Sequence, residues 1–567
     1  MRHDGSAVLR HALFGPAVAL AVLSADGGIT QNRSLEGPEV SIVFRASSEA
    51  GDAIRDLPVE SLTLTVGGRT RQIRSFQAVA YSPGEAPPLT SKTSASPFGT
   101  NIGSPAKELT LLIDADAIPP GSAALLREAV DGLLGGMSKD DRVGLVTIGR
   151  SQVRVGPTAR HDRIRSAVES LTLRGSALCR VQDVAGRLVD LVGNWSVDVP
   201  PAVVAFSAVS TMSPTRTGDY CPLPKHQLVY LETAATASAG GVSVVQVPNQ
   251  YGEITPNSGL SALSLIFGGK PIVLSTRGST ASMRQLLSRT SSYYRMTFLP
   301  DAAEYDGRDR PVDVRTTQSQ VKLHFRSSVG FPDAEHLLDP ATVLPQHGGY
   351  SRLQLRAAFF LGASGDNVKV VTVFDSDATA DPLAAAVIGI FDEEGQLIAR
   401  WTAEEAELTR TPTSAALVVA PGNYRLRVVG VDRRGDVGTI DSDFEAVLDK
   451  AGPGRVSSLA AGVLEDGVFS PKLQFGSEAT VVGQFELYGL PPLAAVSATF
   501  TLLQRNHSEP LVARPGIIDV PPDGGLGLVQ AELPIRTLQP GDYVLRAAVT
   551  LNGEQIADLV RTIRKSH

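Results

Sequence analysis

The sequence predicts a mixed architecture, α/β plus all-β: a doubly wound, Rossmann-like α/β domain followed by two β-sandwich domains. Two patterns and one echo predict it. Between Leu109 and Val247, short continuous apolar runs such as LTLLI and VVAF alternate with stretches whose apolar residues recur every three or four positions. A strand covered on both faces reads as a continuous run, and a helix lying on it as an amphipathic stripe. From Leu353 onward the pattern changes to alternation broken by turn residues, as in strands with one buried face. The echo is PGNYRLRVVGVDRRG from Pro421 and PGDYVLRAAVTLNG from Pro540. In each, a Pro-Gly turn feeds a strand with Tyr and Leu on one face, as expected of two copies of a module.

The elements follow in order. Arg2 and Arg10 precede an apolar run from Ala12 to Leu23, with the small residues Ser24 and Ala25 after it. Residues 1–25 therefore read as a secretory signal peptide, and the protein as secreted or periplasmic, with a buried N-terminal helix or an uncleaved anchor as the alternative. The run is shorter than the ~20 residues that a membrane helix needs, and no later segment is long and apolar enough, so no transmembrane span is expected in the mature chain. Residues 37–80 read as a short β segment (VSIVF, SLTLTV, a Gly67-Gly68 turn, RQIRSF), and residues 81–106, rich in Pro, Ser, Thr and Gly, as a linker.

Residues 107–331 carry the α/β pattern. LTLLI ends at Asp114, and Leu126, Val130, Leu133 and Met137 mark the next helix. RVGLVTIG has QVRVG as its hairpin partner. Helices are expected around Ile164, Leu188 and Gln227 to Ser238, with strands at Val203 to Phe206 and Gly241 to Val247 between and after them. A helix near Ala281 to Arg289 and three strands after Tyr293 close the domain, the last two expected at or beside the edge of its sheet. The sandwich domains are placed at 350–450 and 455–565.

At 567 residues the chain is long enough for roughly three or four domains. A net charge of -7 without any Lys/Arg cluster excludes nucleic acid as the expected partner. No H-E-x-x-H, G-x-S-x-G, Walker loop or Cys-x-x-Cys is present, so no enzyme is expected. Cys179 and Cys221 are the two cysteines, and one disulfide is their natural state in an oxidising compartment. Two free buried thiols are the alternative.

The run LLIDADAI, helix, DDRVGLVTIG, helix, RGSAL, helix, VVAFS, helix, GVSVVQV resembles the von Willebrand factor A domain. GDAIRDLPVESLTLTVGGRTRQIRSF before it and SSYYRMTFLPDAAEYDGRDRPVDVRT after it are similar to the flanks of the acidobacterial A-related type. The resemblance spans roughly Val40 to Phe331. It implies a Mg²⁺ site built from Asp-x-Ser-x-Ser, a Thr between two helices, and an Asp after the central strand. Here the first motif reads Asp114-x-Asp116-x-Ile118, Ser176 stands for the Thr, and the second Asp falls on Ala208, leaving Ser207 nearby. The metal-ion-dependent adhesion site is degenerate.

Asp114, Asp116, Ser176 and Ser207 are thus a vestigial metal set, and no cofactor is implied beyond a weak Ca²⁺ or Mg²⁺ site. The competing reading, which is preferred, has Asp114 capping the loop or the following helix and Asp116 solvated. Two neighbouring carboxylates need a cation or a basic side chain between them, and Arg150 and Arg174 are the candidates. The expected function is a metal-independent protein-interaction or adhesion role with an unknown protein partner. A structural scaffold of the cell envelope and an unrecognised enzyme on the α/β domain are the alternatives.

Overall fold

A computed structural model describes residues 39–49, 51–81, 98–100, 106–150, 152–175, 180–208, 222–248, 258–269, 272–275, 278–331, 333, 338–376, 382–491, 495–504, 507, 509–519 and 526–566. Residues 1–25, read above as a signal peptide, and Ser176, Cys179 and Cys221 lie outside them.

The α/β domain is built on a six-stranded sheet. Its order is Ile272–Val273, Val242–Gln246, Val203–Ser207, Glu108–Asp114, Arg142–Ile148, Arg154–Thr158. Neighbours run parallel except the last, which pairs antiparallel with Arg142–Ile148 as the hairpin reading requires. Each face of the sheet has its own apolar core. On one face Leu111 and Val204 meet Leu126, Val130, Ile164 and Met283. On the other, Leu112 and Ala205 meet Val184, Leu188, Leu231 and Leu263. Helices on both faces make the domain doubly wound. One helix, Gly259–Ile266, goes beyond the sequence reading; Ser258 caps it by accepting from the Ser261 amide at 3.2 Å.

Two expectations about the flanks are corrected. The β segment 37–80 does not stand apart, and the strands after Tyr293 do not extend the α/β sheet. Val40–Ser47 and Ser75–Ala80 share a sheet with Ser292–Phe298 and Lys322–Phe325. Leu62–Val66 and Arg69–Arg71 share a second with Asp309–Thr316 and Ser328–Gly330. The reason is burial: Val40, Ile42, Phe44 and Leu64 from one flank and Tyr294, Met296, Phe298 and Val312 from the other form one core. Neither flank covers its apolar face alone. The α/β domain is inserted in this first sandwich. The segment 81–106 is also more than a linker, since Phe98–Thr100 pairs with Arg356–Ala358 in a later sheet. A three-residue strand is too short to show alternation in sequence.

One sheet of each C-terminal sandwich follows the same strand order. Leu397–Thr402, Leu383–Phe391, Gly422–Asp432 and Val437–Ala446 lie side by side in the first. Pro510–Pro515, Val496–Gln504, Gly541–Leu551 and Glu554–Lys565 do so in the second. The echoed tyrosines do the same job in both. Tyr424 Oη donates to Ala420 O at 3.0 Å and Tyr543 Oη to Gln539 O at 2.8 Å, each pinning the turn four residues back. This resembles the tyrosine corner of immunoglobulin-type sandwiches.

The described residues belong to one compact unit, and buried charge lines its domain junctions. Lys107, just before the central strand, is 4% exposed; its Nζ donates to Thr290 Oγ1 at 2.5 Å and lies over the Tyr81 ring. Burial, with Arg45 adding repulsion, pulls the Lys107 ammonium down to about 7, against the attraction of Asp141. The folded state therefore binds fewer protons than the unfolded one from about pH 7 to about pH 10, so stability rises with pH across that window. Lys107→Met is expected to be more stable than wild type at about pH 7, by on the order of 3 kcal/mol. It should lose most of that advantage by about pH 10, which urea titrations at the two pH values will measure.

Candidate functional site

Strand order in the α/β sheet reverses between Glu108–Asp114 and Val203–Ser207, from which the chain winds off to opposite edges. The carboxyl ends of two such strands diverge into a crevice, where doubly wound sheets bind ligands. Asp114 ends one of the two and Ser207 the other.

Asp114 is fully buried. Its Oδ2 accepts from Ser207 Oγ at 2.9 Å and its Oδ1 from the Ala117 amide at 3.2 Å. The second bond closes the loop after the strand, as the capping reading expects. Burial pushes the Asp114 carboxyl up to about 6, while Ser207, Ala117 and Arg180 hold it down and Asp116 pushes with burial.

The expectation of a solvated Asp116 is corrected: it is 4% exposed. Its Oδ2 accepts from the Arg150 amide at 3.2 Å, and Arg174 Nε lies 3.4 Å from its Oδ1. Gly149 makes room for it. A Cβ there would stand 2.8 Å from the Asp116 carboxyl carbon, and φ is +136°. Only glycine fits that backbone beside that side chain.

The group that sequence reasoning missed is Arg180. Its Nε lies 3.3 Å from Asp114 Oδ1, its Nη1 3.7 Å from Asp116 Oδ2 and its Nη2 3.0 Å from Asp183 Oδ2. The contact with Asp114 has ion-pair distance without hydrogen-bond alignment. Arg174, named from sequence, does reach Asp116, whereas Arg150 contributes its backbone amide there. The loop carrying Arg174 is zipped to the Asp114 loop, Arg174 N to Ala115 O at 3.1 Å and Gly175 N to Ile118 O at 3.0 Å.

Ile118 and Ala208 stand where the resembling family has a hydroxyl and a carboxylate. Both are buried in the apolar core under the crevice, so these positions serve packing. Among the described residues the donors left for a divalent ion are few. Two carboxylates and one hydroxyl leave most of the coordination shell to water, and a guanidinium lies within 4 Å of both carboxylates. Among the described residues no group of three or more His, Cys, Asp or Glu could hold a metal ion. Ser207 reaches Asp114; Ser176 lies outside the described residues.

Two histidines have structural partners. His161 Nε2 bonds Asp141 O at 2.8 Å, and His324 Nε2 bonds Ser47 Oγ at 3.0 Å.

No protein-family model and no curated protein sequence matches this chain. Among solved structures it is similar to the conserved hypothetical protein BatB of Bacteroides thetaiotaomicron, with 13% identity over 32% of this chain and 98% of that one, TM-score 0.22. It is also similar to the vWF domain of the type V pili tip protein Mfa5 of Porphyromonas gingivalis, with 11% identity over 33% and 94%, TM-score 0.23. Three N-terminal domains of Mfa5 align over 87% of this chain and 99% of that one, with 8% identity and TM-score 0.23. At such identities and scores a likeness does not carry function.

Proposed function

We propose that this is an exported, non-catalytic interaction protein whose von Willebrand factor A-like domain meets a protein partner at the switch-point rim without needing a metal ion. The observation that supports this reading is Arg180. Its guanidinium lies between Asp114, Asp116 and Asp183, so the fold supplies its own cation where the resembling family uses Mg²⁺. Among the described residues of the rim, Asp114 and Asp116 are buried, whereas Arg150, Arg174, Arg180 and the Asp183 that pairs with Arg180 reach solvent. An acidic partner surface complements that arrangement. Among the described residues no helix is long and apolar enough to cross a membrane.

Calorimetry of the full chain with Mg²⁺, Mn²⁺ and Ca²⁺ is the test. No heat of binding is expected in the micromolar range for any of the three. Micromolar Mg²⁺ binding that Asp114→Ala abolishes would overturn the proposal.

A scaffold role is the second reading, favoured by the ion pairs that fasten the α/β domain to the first C-terminal sandwich. Arg142 pairs with Asp443 at 2.7 Å, and Arg160 and Arg163 with Glu393 at 3.0 and 2.8 Å.

A further inference from the structure

We infer that the crevice between the first sandwich and the α/β domain is a strand-accepting site, and that its ligand is an extended, uncharged segment of a partner protein. The crevice lies near the amino end of strand Val203–Ser207, opposite the rim, and does not rest on the reading above.

The first observation is an unfinished strand edge. Val40–Phe44 is paired along one edge with residues of Ser292–Phe298. Along the other edge Lys322–Phe325 covers only Phe44–Ser47. Beyond Phe325 the chain leaves this sheet, and Ser328–Gly330 pairs with Asp309–Pro311 in the opposite one. The second edge of Val40–Val43 therefore has no strand partner among the described residues. Four residues of strand present ~13 Å of main-chain donors and acceptors.

The second observation is the space beside that edge. A cavity of about 350 Å³ has Val40–Val43 on one wall and Arg326 and Ser328–Gly330 on the other, with Val197, Asp198 and Arg352 closing it. A second cavity of about 450 Å³ shares Val197, Asp198, Gly330 and Arg352, so the two adjoin.

The third observation is the lining chemistry. Asp198 is 2% exposed, and among the described residues neither its Oδ2, nor Ser41 Oγ, nor Arg326 Nε has a hydrogen-bond partner. A buried polar atom without a partner is costly unless a ligand or water supplies one. The charges on the first cavity balance, Asp198 and Asp309 against Arg326 and Arg352. An ionic ligand would upset that balance, whereas a peptide main chain brings neutral donors and acceptors. Along the open edge, Val40 and Ile42 face the sandwich core, while Val43 packs with Val79, Tyr81 and Val199. A strand laid beside them would carry apolar residues at every second position.

The probe is a synthetic peptide of alternating valine and threonine with capped ends, about six residues long. Hydrogen exchange of the full chain is followed with and without it. Amides within residues 40–43 are expected to exchange about tenfold more slowly with peptide at millimolar concentration. The same peptide N-methylated along its main chain should give no protection, and Asp198→Ala and Ser328→Trp should weaken or abolish the effect. Unchanged exchange, or equal protection by the N-methylated peptide, overturns the inference; this arm stands even if Ser328→Trp does not fold. Strong protection in the free chain overturns it too. Protection independent of dilution would assign the edge to the chain's own residues before 39, and protection lost on dilution to a second copy.

Discussion

Arg180→Ala is expected to lose roughly 3 kcal/mol of folding stability and to make the remaining stability depend on divalent cations. Asp114 is fully buried and Asp116 nearly so, while Arg180 is about one-fifth exposed at their edge. Removing one partner of a buried ion pair leaves the other charge uncompensated, and here two carboxylates would also face each other. A cation then gains what the guanidinium loses. Any ion that binds the folded state alone stabilises it by mass action, so added Ca²⁺ should restore part of the deficit and chelator should remove it again. Urea unfolding of wild type and variant, each with chelator and with Ca²⁺, measures both effects. Coupling to Asp114→Asn should be strong, with the double variant less damaged than the sum of the singles. Equal stability of variant and wild type in chelator would show that Arg180 is not the counter-charge.

The other large effect is expected at Asp443, on the sandwich side of a domain junction. Its carboxylate accepts from three donors of the α/β domain: Arg142 Nη1 at 2.7 Å, the Ala159 amide at 2.9 Å and Thr158 Oγ1 at 3.1 Å. Both side chains of the Arg142 pair are largely buried, 12% and 15% exposed. Asp443→Ala should therefore cost roughly 3–5 kcal/mol, because it strands a buried guanidinium and two further donors. Since these bonds cross between domains, the thermal transition should also divide, with the C-terminal sandwiches melting apart from the α/β domain. Differential scanning calorimetry reads the division directly. Asp443→Asn, which keeps an acceptor oxygen, should fall between the two. A single unshifted transition in Asp443→Ala would mean that the junction is held by its other contacts.

Much of the fold was legible because it rests on local periodicity. LTLLI, RVGLVTIG, VVAF and VSVVQ read as buried strands, and each lies in the central sheet. The paired Pro-Gly-x-Tyr segments read as a repeat, and both tyrosines close the same turn. What failed was whatever depended on distant partners. The two flanks of the α/β domain read as separate pieces, since nothing in Val40 to Phe44 announces that it will pair with Tyr294 to Phe298. Phe98–Thr100 was hidden in a Pro- and Ser-rich stretch for the same reason.

At the candidate site, the residues alone determined that the resembling metal set is incomplete: Ile118 and Ala208 have no ligand atom, and no packing can supply one. The need for a positive group near Asp114 and Asp116 also followed from sequence, because adjacent carboxylates repel. Which group answers that need was decided by tertiary structure. Arg180 sits just before a helix more than sixty positions from Asp114, and only the reversal of strand order beside Asp114 brings that loop over the carboxylates. The same folding buries Asp116, which sequence left in solvent. Local pattern specifies elements, because a side chain's neighbours along one helix or strand are fixed by period. Electrostatic partners across a crevice are chosen by the arrangement of whole layers, which no short stretch of residues encodes.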